Sequence, residues 1–382
     1  MKKLLVFVIL VSALSCKDKY VPKIKSSSVG NLVVEGYINS GSAPSIFTLS
    51  RATKLYDTAT VVYEDNAIVD ILGENQEDYF LYPVGSGTYE SQVLSLNNDE
   101  KYRLHIKTQD GREYLSDYQT VKYTPPIDSI SWIRDNNGVS IYVSTHDPQT
   151  NPGYYRWDYD ETWEIHSAFG STLVYITDPT TGRYDGVASR GLQTIDSSIF
   201  KCWRYNSSTN INLGSSEKLT QDVIFLPLEQ IPSGDEKLSV LYSINVKQFA
   251  LTKEAYTFYQ ALKTNTENLG SIFDPLPTSL PSNIHCVTNP SEAVVGFVSI
   301  SQEQDQRIFI SNKDLPDWNY DQGCELVVIK NNPDSIEKYA YGTLPTYPHT
   351  TAGLVIVDFY ASDATCVDCT LRGTNIKPYF WP

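Results

Sequence analysis

The chain has 382 residues, and its 45 acidic and 30 basic side chains give a formal net charge of −15, which makes nucleic acid an unsuitable partner. Its length suffices for two domains with separate cores, because single cores stop growing near about 250 to 300 residues. Tyrosine is abundant (27), methionine occurs once, and 20 prolines and 21 glycines punctuate short segments, a composition typical of an exported, β-rich protein.

The first 16 residues have the form of a bacterial lipoprotein signal. Lys2 and Lys3 supply a positive start, residues 4–11 form an apolar run, and residues 13–16 read as a lipobox that ends at Cys16. Such a run is too short to span a bilayer, which needs about 20 apolar residues. We therefore expect export, cleavage before Cys16 and a lipid on its thiol. An ordinary cleaved signal with an incidental cysteine is the alternative.

Residues 17–30 predict a flexible tether, because they are polar and show no hydrophobic period. Without the two leader lysines the mature chain has 28 basic and 45 acidic residues, a net charge of −17. The early Lys17-Asp18 pair resembles the surface-export signals of Bacteroidetes lipoproteins. We expect a protein anchored by lipid in the outer membrane, with its body on the cell surface rather than facing the periplasm.

Residues 31–124 predict a β-sandwich domain of immunoglobulin or transthyretin type. Five strand-length runs, several of them alternating, are separated by turn-rich gaps at 32–38, 46–49, 67–72, 79–82 and 102–106. Tyr102 lies just before an alternating strand, the position in which a sandwich often places its corner tyrosine. A plain core tyrosine is the alternative.

The Thr124-Pro125-Pro126 segment predicts a domain boundary, because the residue before a proline avoids helical space and consecutive prolines stiffen a joint. Residues 125–382 then form a larger β-rich domain. Its clearest strand covers 155–165, where large apolar and aromatic side chains alternate with charged or polar ones. We expect one face of this strand in the core and the other in solvent or against a partner.

One helix is predicted near 252–269, and we expect it to pack on the sheet. Thr252 suits the N-cap, Ala255, Phe258 and Leu262 recur at helical spacing, and Gly270 stops the pattern. The aromatic stripe of this helix could instead line a ligand groove, but core packing is the usual role of such a stripe.

Five cysteines follow the leader, and an exported protein meets oxidising conditions, so disulfides are the expected state. We predict that four of them form two bridges and staple the carboxyl terminus, with Cys286 left free: Cys202, Cys324, Cys366 and Cys369. A redox centre or half a zinc site would also fit the Cys366-x-x-Cys369 spacing, but no strand-to-helix pattern and no second close pair accompanies it.

The carboxyl end also carries a family resemblance. Cys366-x-x-Cys369, the segment 373–378 and the closing Phe380-Trp381 resemble the ending of Bacteroidetes lipoproteins grouped as domain of unknown function 4249. Further segments resemble landmarks of the same family, in the same order: 34–38, 243–246, 254–259, 270–275, 283–284 and 295–298. Ser282 and Thr374 stand where the family often has glycine.

This resemblance implies a location more than a chemistry. Members of the family are outer-membrane lipoproteins, commonly encoded beside TonB-dependent receptors that carry a carboxypeptidase-regulatory-like domain. No catalytic residues are established for the family, so the resemblance transfers none to this chain.

The sequence offers little support for catalysis. It contains no Gly-x-Ser-x-Gly elbow, no His-Glu-x-x-His pair and no glycine-rich phosphate loop, and its five histidines are scattered. Asp158 and Asp160 could bind calcium, but no loop with alternating oxygen ligands surrounds them, so a solvated strand face is the better interpretation. We therefore assign no catalytic residue, metal ligand or cofactor, and the ligand-binding residues stay unknown.

Three functions remain open. The first is a non-catalytic lipoprotein that serves as an accessory or ligand-capture subunit of an outer-membrane β-barrel, with a TonB-dependent transporter as the expected partner. The second is a surface glycan-binding protein or hydrolase that acts alone. The third is an accessory subunit of outer-membrane protein assembly, which would look the same in sequence. The missing catalytic signatures favour the first.

Overall fold

The computed structural model describes residues 30–53, 61–148, 153–191, 195–267, 280–353 and 355–382. About half of these residues lie in strands, so the predicted mainly β fold class is confirmed. Cys16, the tether up to residue 29 and the predicted helix stop at Gly270 lie outside the described residues.

The first nine strands form most of one curled sheet. They are Leu32–Asn39 (β1), Pro44–Arg51 (β2), Val62–Tyr63 (β3), Ile68–Gly73 (β4), Asp78–Gly85 (β5), Thr88–Val93 (β6), Lys101–Lys107 (β7), Glu113–Ser116 (β8) and Gln119–Thr120 (β9). The strand β5 pairs with β4 through Leu81 and with β6 through Tyr82. It thereby joins the two halves of the predicted sandwich into a single sheet, which curls around one core.

The middle of the chain forms a second layered region and the main helix. Its elements are Ile127–Asp135 (β10), Gly138–His146 (β11), Tyr154–His166 (β12), Leu173–Thr177 (β13), Tyr184–Ser189 (β14), Ser197–Phe200 (α1), Lys201–Ser207 (β15), Asn212–Ser215 (β16), Val223–Pro232 (β17), Leu241–Ala250 (β18) and Lys253–Glu267 (α2).

The last part of the chain contributes to several sheets. Its elements are Ile284–Cys286 (β19), Ile300–Ser301 (β20), Gln304–Ser311 (β21), Val327–Lys330 (β22), Pro333–Tyr339 (α3), Thr343–Ala352 (β23), Val355–Asp363 (β24) and Ala364–Val367 (α4). The strands β22, β24 and β23 form a small sheet, and Phe359 at its centre is fully buried beside the β13–β14 hairpin.

The second region is built as two facing sheets. A three-stranded sheet, β10-β11-β17, packs on a larger one that has the order β15-β12-β18-β21, with β16 also paired to β12. Trp157 of β12 is fully buried between them, and its Nε1 donates to Oε1 of Gln248 at 2.7 Å. The predicted alternation of β12 explains this placement, because Tyr155, Trp157, Tyr159 and Trp163 at alternate positions all face this core.

The chain returns to the first region after the helix. The strand β19 pairs with β8, and β20 pairs in parallel with β1, so the two short strands extend opposite ends of the curled sheet. Between them the buried Glu292 accepts from the Tyr114 hydroxyl at 2.7 Å and from Arg112 Nη1 at 3.1 Å. The predicted division into 31–124 and 125–382 therefore needs a refinement: residues 284–301 complete the first core.

The predicted helix is present as α2, with its first-turn amide at Ala255 bonded to the Thr252 hydroxyl at 3.2 Å. Ala255 and Phe258 are buried against Tyr154 and Phe297, so α2 packs on the sheet as expected. Within the described ranges the structure adds three short α-helices that the sequence pattern did not predict, α1, α3 and α4.

Candidate binding cleft and apolar sheet face

A cleft of about 590 Å³ lies where the curled sheet meets the larger sheet of the second region. The outward side chains of β12 and β18 form its floor, β1 and β2 form one wall, and the loop at 207–211 with the helix α2 forms the other. Since three distant parts of the chain meet here, the cleft exists only in the folded protein.

Strand alternation supplies the charged floor. Successive side chains of a strand point to opposite faces, so burial of Trp157 and Tyr159 turns Arg156, Asp158 and Asp160 outward. In the antiparallel pairing with β18, Asp158 lies opposite Lys247. The predicted solvated face of this strand is thus, at this end, the floor of a cleft.

Arg156 is held between two aromatic rings. Its guanidinium carbon lies 4.8 Å from the ring centre of Phe249 and 4.6 Å from that of Tyr259, within the range of cation–π attraction. Its Nη2 donates to Oδ2 of Asp158 at 3.0 Å, while its buried Nε has no hydrogen-bond partner among the described residues. The rings fix the plane of the guanidinium, so its orientation in the cleft is set before any ligand arrives.

Asp160 and Lys247 form the second charged pair of the floor. Lys247 Nζ lies 2.9 Å from Oδ2 of Asp160, and the Ser207 hydroxyl donates to Oδ1 at 2.8 Å. Burial acts to raise the pKa of Asp160, but the hydrogen bonds from Lys247 and Ser207 outweigh burial and lower it. The carboxylate is therefore ionised at neutral pH, and more than two fifths of its side chain stays exposed to solvent.

Tyr37 links the two regions across the cleft. Its hydroxyl donates to a carboxylate oxygen of Glu303, and its ring meets that of Phe249 edge-on at 4.7 Å. Burial raises the pKa of Tyr37 well above its usual range, and the neighbouring carboxylate adds to the effect. The phenol stays protonated and keeps donating to Glu303.

The walls of the cleft are largely apolar. Pro44 and Ile46 come from the curled sheet, and Ile211 and Leu262 face them from the loop and from α2. The side chain of Ile46 is 49 % exposed, so it is available for contact. An occupant would thus meet charges below and aliphatic surface on both sides.

The outer face of the curled sheet on the side of this wall carries several exposed apolar side chains and is here called the apolar sheet face. Its members are exposed aliphatic and aromatic side chains of β2, β4 and β5: Ile46, Ile68, Phe80, Tyr82 and Val84. Cross-strand pairing runs from Tyr37 to Ile46, then to Glu90, then to Tyr82. The cleft and the apolar sheet face therefore lie on the same side of the sheet, with Glu90 between Ile46 and Tyr82.

Comparison with known proteins identifies the family. The family described as "Domain of unknown function (DUF4249)" matches residues 17–307, which is well over half of the chain. The chain belongs to the DUF4249 family. The match includes the cleft floor, the helix α2 and the apolar sheet face, so all the elements of the candidate site lie within the DUF4249 region.

Other comparisons add little to the family assignment. A search of curated proteins finds no match. Among solved structures, "Chitinase ChiA74 from Bacillus thuringiensis" aligns at 12 % identity over 51 % of this chain and 30 % of the chitinase, with a TM-score of 0.15. The aligned part thus spans less than a third of that enzyme.

The disulfide cysteines are Cys202, which lies within the DUF4249 match, and Cys324, Cys366 and Cys369, which lie beyond its end. Cys202 is bonded to Cys369, and Cys324 to Cys366, so the two cysteines of the C-x-x-C motif belong to different bridges. Cys286 is a buried free thiol whose sulfur lies 3.4 Å from the Thr288 hydroxyl. None of the four candidate cysteines lines the cleft, and their bridges fix the carboxyl terminus.

The histidines of this DUF4249 protein do not converge. Each one contacts a carboxylate: His105 with Asp70 and Glu113, His146 with Asp128, His166 with Glu164, His285 with Asp117 and His349 with Asp358. No group of three His, Cys, Asp or Glu side chains in the described residues is arranged to hold a metal ion. Asp158 and Asp160, considered above for calcium, are paired with Arg156 and Lys247.

No helix of the described part is long and apolar enough to cross a membrane. The alternation of β12 predicted the floor residues but not the cleft, because its walls come from other elements: β1, β2, the loop at 207–211 and α2. The available signal for the apolar sheet face was that β2 and β5 carry large apolar side chains on both faces, so that one apolar set remains outside the core.

Proposed function

We propose that this protein is a non-catalytic lipoprotein of the outer membrane that acts as an accessory or ligand-capture subunit of an outer-membrane β-barrel. A TonB-dependent transporter is the expected partner. The observation that carries the proposal is that a charged cleft and an exposed apolar sheet face lie on the same side of the curled sheet. The cleft suits a polar ligand, and the apolar sheet face suits a protein partner.

The apolar sheet face supports the docking role. Exposed apolar patches rimmed by polar side chains mark interaction sites on protein surfaces. Phe80 and Tyr82 contact each other at 5.1 Å between ring centres while 43 % and 54 % exposed, and aromatic side chains of this kind are typical centres of interface energy. We infer that this pair is the anchor of the interface with the barrel.

The predicted anchor at Cys16 supports the membrane location. A single acyl chain gives only marginal membrane binding, so stable attachment needs further chains or a second contact. A diacylated cysteine followed by a short polar tether would hold the folded body near the barrel, and the apolar sheet face would supply the specific contact. The net negative charge of the chain disfavours nonspecific adhesion to anionic surfaces.

The arrangement of ionisable groups supports binding over catalysis. A nucleophilic hydrolase needs a serine or cysteine within hydrogen-bond reach of a base. The described histidines hydrogen-bond to carboxylates and none bonds to a serine hydroxyl or a cysteine thiol, while the free thiol of Cys286 is buried beside Thr288. The floor of the cleft consists of paired charges whose hydrogen bonds leave them suited to recognition.

Co-purification from native membranes tests the proposal. The tagged full-length protein is extracted in mild detergent and its partners are identified by mass spectrometry, for the wild type and for Tyr82→Asp. We expect a β-barrel to co-purify with the wild type. The amount of barrel recovered should fall at least tenfold with Tyr82→Asp, because a charge in the interface core is desolvated without a partner. Tyr341→Asp, at a 79 % exposed tyrosine outside this face, should leave the barrel in place.

Two outcomes would contradict the proposal. The first is the absence of any barrel from the wild-type eluate combined with hydrolysis of glycans, peptides or esters that a single carboxylate or serine substitution abolishes. That result would favour the surface enzyme. The second is recovery of the barrel at equal yield with Tyr82→Asp, which would remove the apolar sheet face from the interface.

A further inference from the structure

We infer that the cleft binds a short extended peptide with free termini and an apolar side chain. The inference rests on the proposed ligand-capture function and names the class of ligand. It depends on three observations: the near balance of charge in the floor, the burial of the aromatic rings and the spacing of the charged side chains.

The balance of charge argues against strongly charged ligands. The floor holds two cations, Arg156 and Lys247, and three carboxylates, Asp158, Asp160 and Glu303. Each cation is already paired with a carboxylate of the floor, so neither a polyanion nor a polycation gains a net attraction. A wholly apolar ligand is also unsuitable, since it would desolvate these charges without replacing the lost water contacts.

The remaining ligands carry donors and acceptors in equal measure, which leaves peptides and neutral glycans. Sugar rings gain much of their affinity by lying on exposed aromatic faces. Here the rings of Phe249 and Tyr259 are only 3 % and 9 % exposed, and each has a face occupied by Arg156. Tyr159 is also buried, and the partly exposed Tyr37 is held by its bond to Glu303 and its ring contact with Phe249. The cleft therefore offers a sugar no broad aromatic platform among its described residues, and a peptide is favoured.

The spacing of the floor matches an extended peptide. Arg156, Asp158 and Asp160 occupy alternate positions of one strand, so they repeat at about 6.6 Å. An extended peptide repeats its own outward groups at the same interval. A free carboxylate could thus reach Arg156 or Lys247 while the ammonium end lies near the carboxylates.

The walls account for the apolar side chain. A peptide lying along the floor turns alternate side chains toward Pro44 and Ile46 on one side and Leu262 on the other. The volume of about 590 Å³ lies within the range of small-ligand sites, about 300 to 1,000 Å³. We therefore expect a leucine-sized side chain to raise affinity over alanine.

Calorimetry on the detergent-purified mature protein tests the inference with three probes. These are an uncapped tripeptide with a central leucine, the same tripeptide acetylated and amidated at its ends, and the neutral trisaccharide chitotriose. We expect saturable binding of the uncapped tripeptide, at least tenfold weaker binding of the capped one, and no binding of chitotriose. Binding of the sugar without binding of the tripeptide would overturn the inference in favour of a glycan ligand.

Matched variants locate the binding. Lys247→Met and Asp160→Asn should each weaken the uncapped tripeptide at least tenfold, and Asp305→Asn should change its affinity less than twofold. Asp305 lies opposite Lys247 on β21 but outside the cleft lining, so it is a matched acidic control. Equal affinity for all three variants would place the peptide elsewhere and refute the inference.

A measurement on the wild type avoids any effect of the variants on folding. Saturating tripeptide should slow acetylation of Lys247 at least fivefold relative to exposed lysines such as Lys253, as read by mass spectrometry. Unchanged acetylation of Lys247 would contradict the inference. The barrel co-purification is a separate measurement. If the barrel co-purifies but the peptide does not bind, only the ligand class is refuted. If the peptide binds but no barrel co-purifies, only the accessory role is refuted.

Discussion

The outward face of β12 has two ends that differ in what covers them. At one end Asp158 and Asp160 lie in the open cleft, with more than two fifths of each side chain exposed. At the other end Thr162 and Glu164 are only 3 % and 5 % exposed, although they continue the same polar alternation. Position on a strand thus fixes which face a side chain is on, and the covering segment decides whether that face is a binding surface or a core.

The carboxyl-terminal tail provides the cover at the second end. Trp381 lies 5.5 Å from Phe309 between ring centres, and its Nε1 donates to Oε2 of Glu164 at 3.1 Å. Glu164 also pairs with Lys201 at 2.9 Å. Backbone hydrogen bonds between Trp203 and Thr374 and the nearby disulfide hold the tail in place. We therefore expect substitutions at the covered end to change stability and those at the open end to change binding.

The largest effect should come from the bridge between Cys202 and Cys369, which attaches the tail. It closes a loop of 167 residues, whereas the bridge between Cys324 and Cys366 closes one of 42. The loop-entropy relation assigns about 5 kcal/mol to the first bridge and about 4 kcal/mol to the second. Urea unfolding of Cys202→Ala/Cys369→Ala and of Cys324→Ala/Cys366→Ala should preserve that order. The reverse order would show that the long loop is already ordered in the unfolded state.

The next effect should come from the tail aromatic itself. Trp381→Ala removes a buried ring and the Glu164 hydrogen bond, so the free energy of unfolding should fall by about 3 kcal/mol. Tyr379→Ala is the matched control, because Tyr379 lies two residues away in the same tail and is 99 % exposed. Denaturant unfolding measures both variants. Equal losses would mean that the tail does not cover the sheet as described.

Acid should weaken the covered end through Glu164. Burial acts to raise its pKa, but the hydrogen bonds from His166, Lys201 and Trp381 outweigh burial and lower it to about 2. In the unfolded chain the pKa of a glutamate is about 4.3. The stability contributed by the lowered pKa is therefore present above about pH 4.3 and is lost as the pH falls toward about 2.

Substitution of Glu164 tests this pH dependence. At pH 7, Glu164→Gln should reduce the free energy of unfolding by about 1 to 3 kcal/mol, because charge-assisted bonds become neutral ones. The difference from the wild type should shrink as the pH falls from about 4.3 toward about 2. Thermal unfolding across this range, with Asp158→Asn from the open end as control, measures the effect. A difference that stays constant with pH would rule out the linkage.

The sequence pattern predicted the parts of this comparison that depend on neighbouring residues. The alternation of β12 placed Trp157 and Tyr159 inside, and Thr252 marked the start of α2. Tyr102, whose hydroxyl accepts from the Asn97 amide at 2.8 Å, fits the corner arrangement that its position suggested. Each of these depends on strand or helix periods and on bonds within a few residues.

What the pattern did not predict depends on distant residues. Glu164 was expected in solvent or against a partner, because nothing within β12 distinguishes it from Asp158. Its burial results from Trp381, more than 200 residues away. The return of residues 284–301 to the first core and the assembly of the cleft also depend on contacts between residues that are distant in sequence. A single sequence carries the period of each strand but not the partner that will cover it.

The smallest stability effect should occur at the open end, where Asp160→Asn removes a charge from the cleft floor. The Asp160 side chain is 44 % exposed and Lys247 is 34 % exposed, so water screens their attraction. Exposed pairs of this kind contribute about 0 to 1 kcal/mol, and we expect the free energy of unfolding to change by less than about 0.5 kcal/mol. Because asparagine keeps the shape of the side chain, the floor should retain its packing.

Urea unfolding of Asp160→Asn at low salt and at about 0.5 M salt measures the change, since added salt screens exposed charge pairs. A loss as large as that of Glu164→Gln would show that the open end is also part of the core, and the contrast between the two ends of β12 would fail.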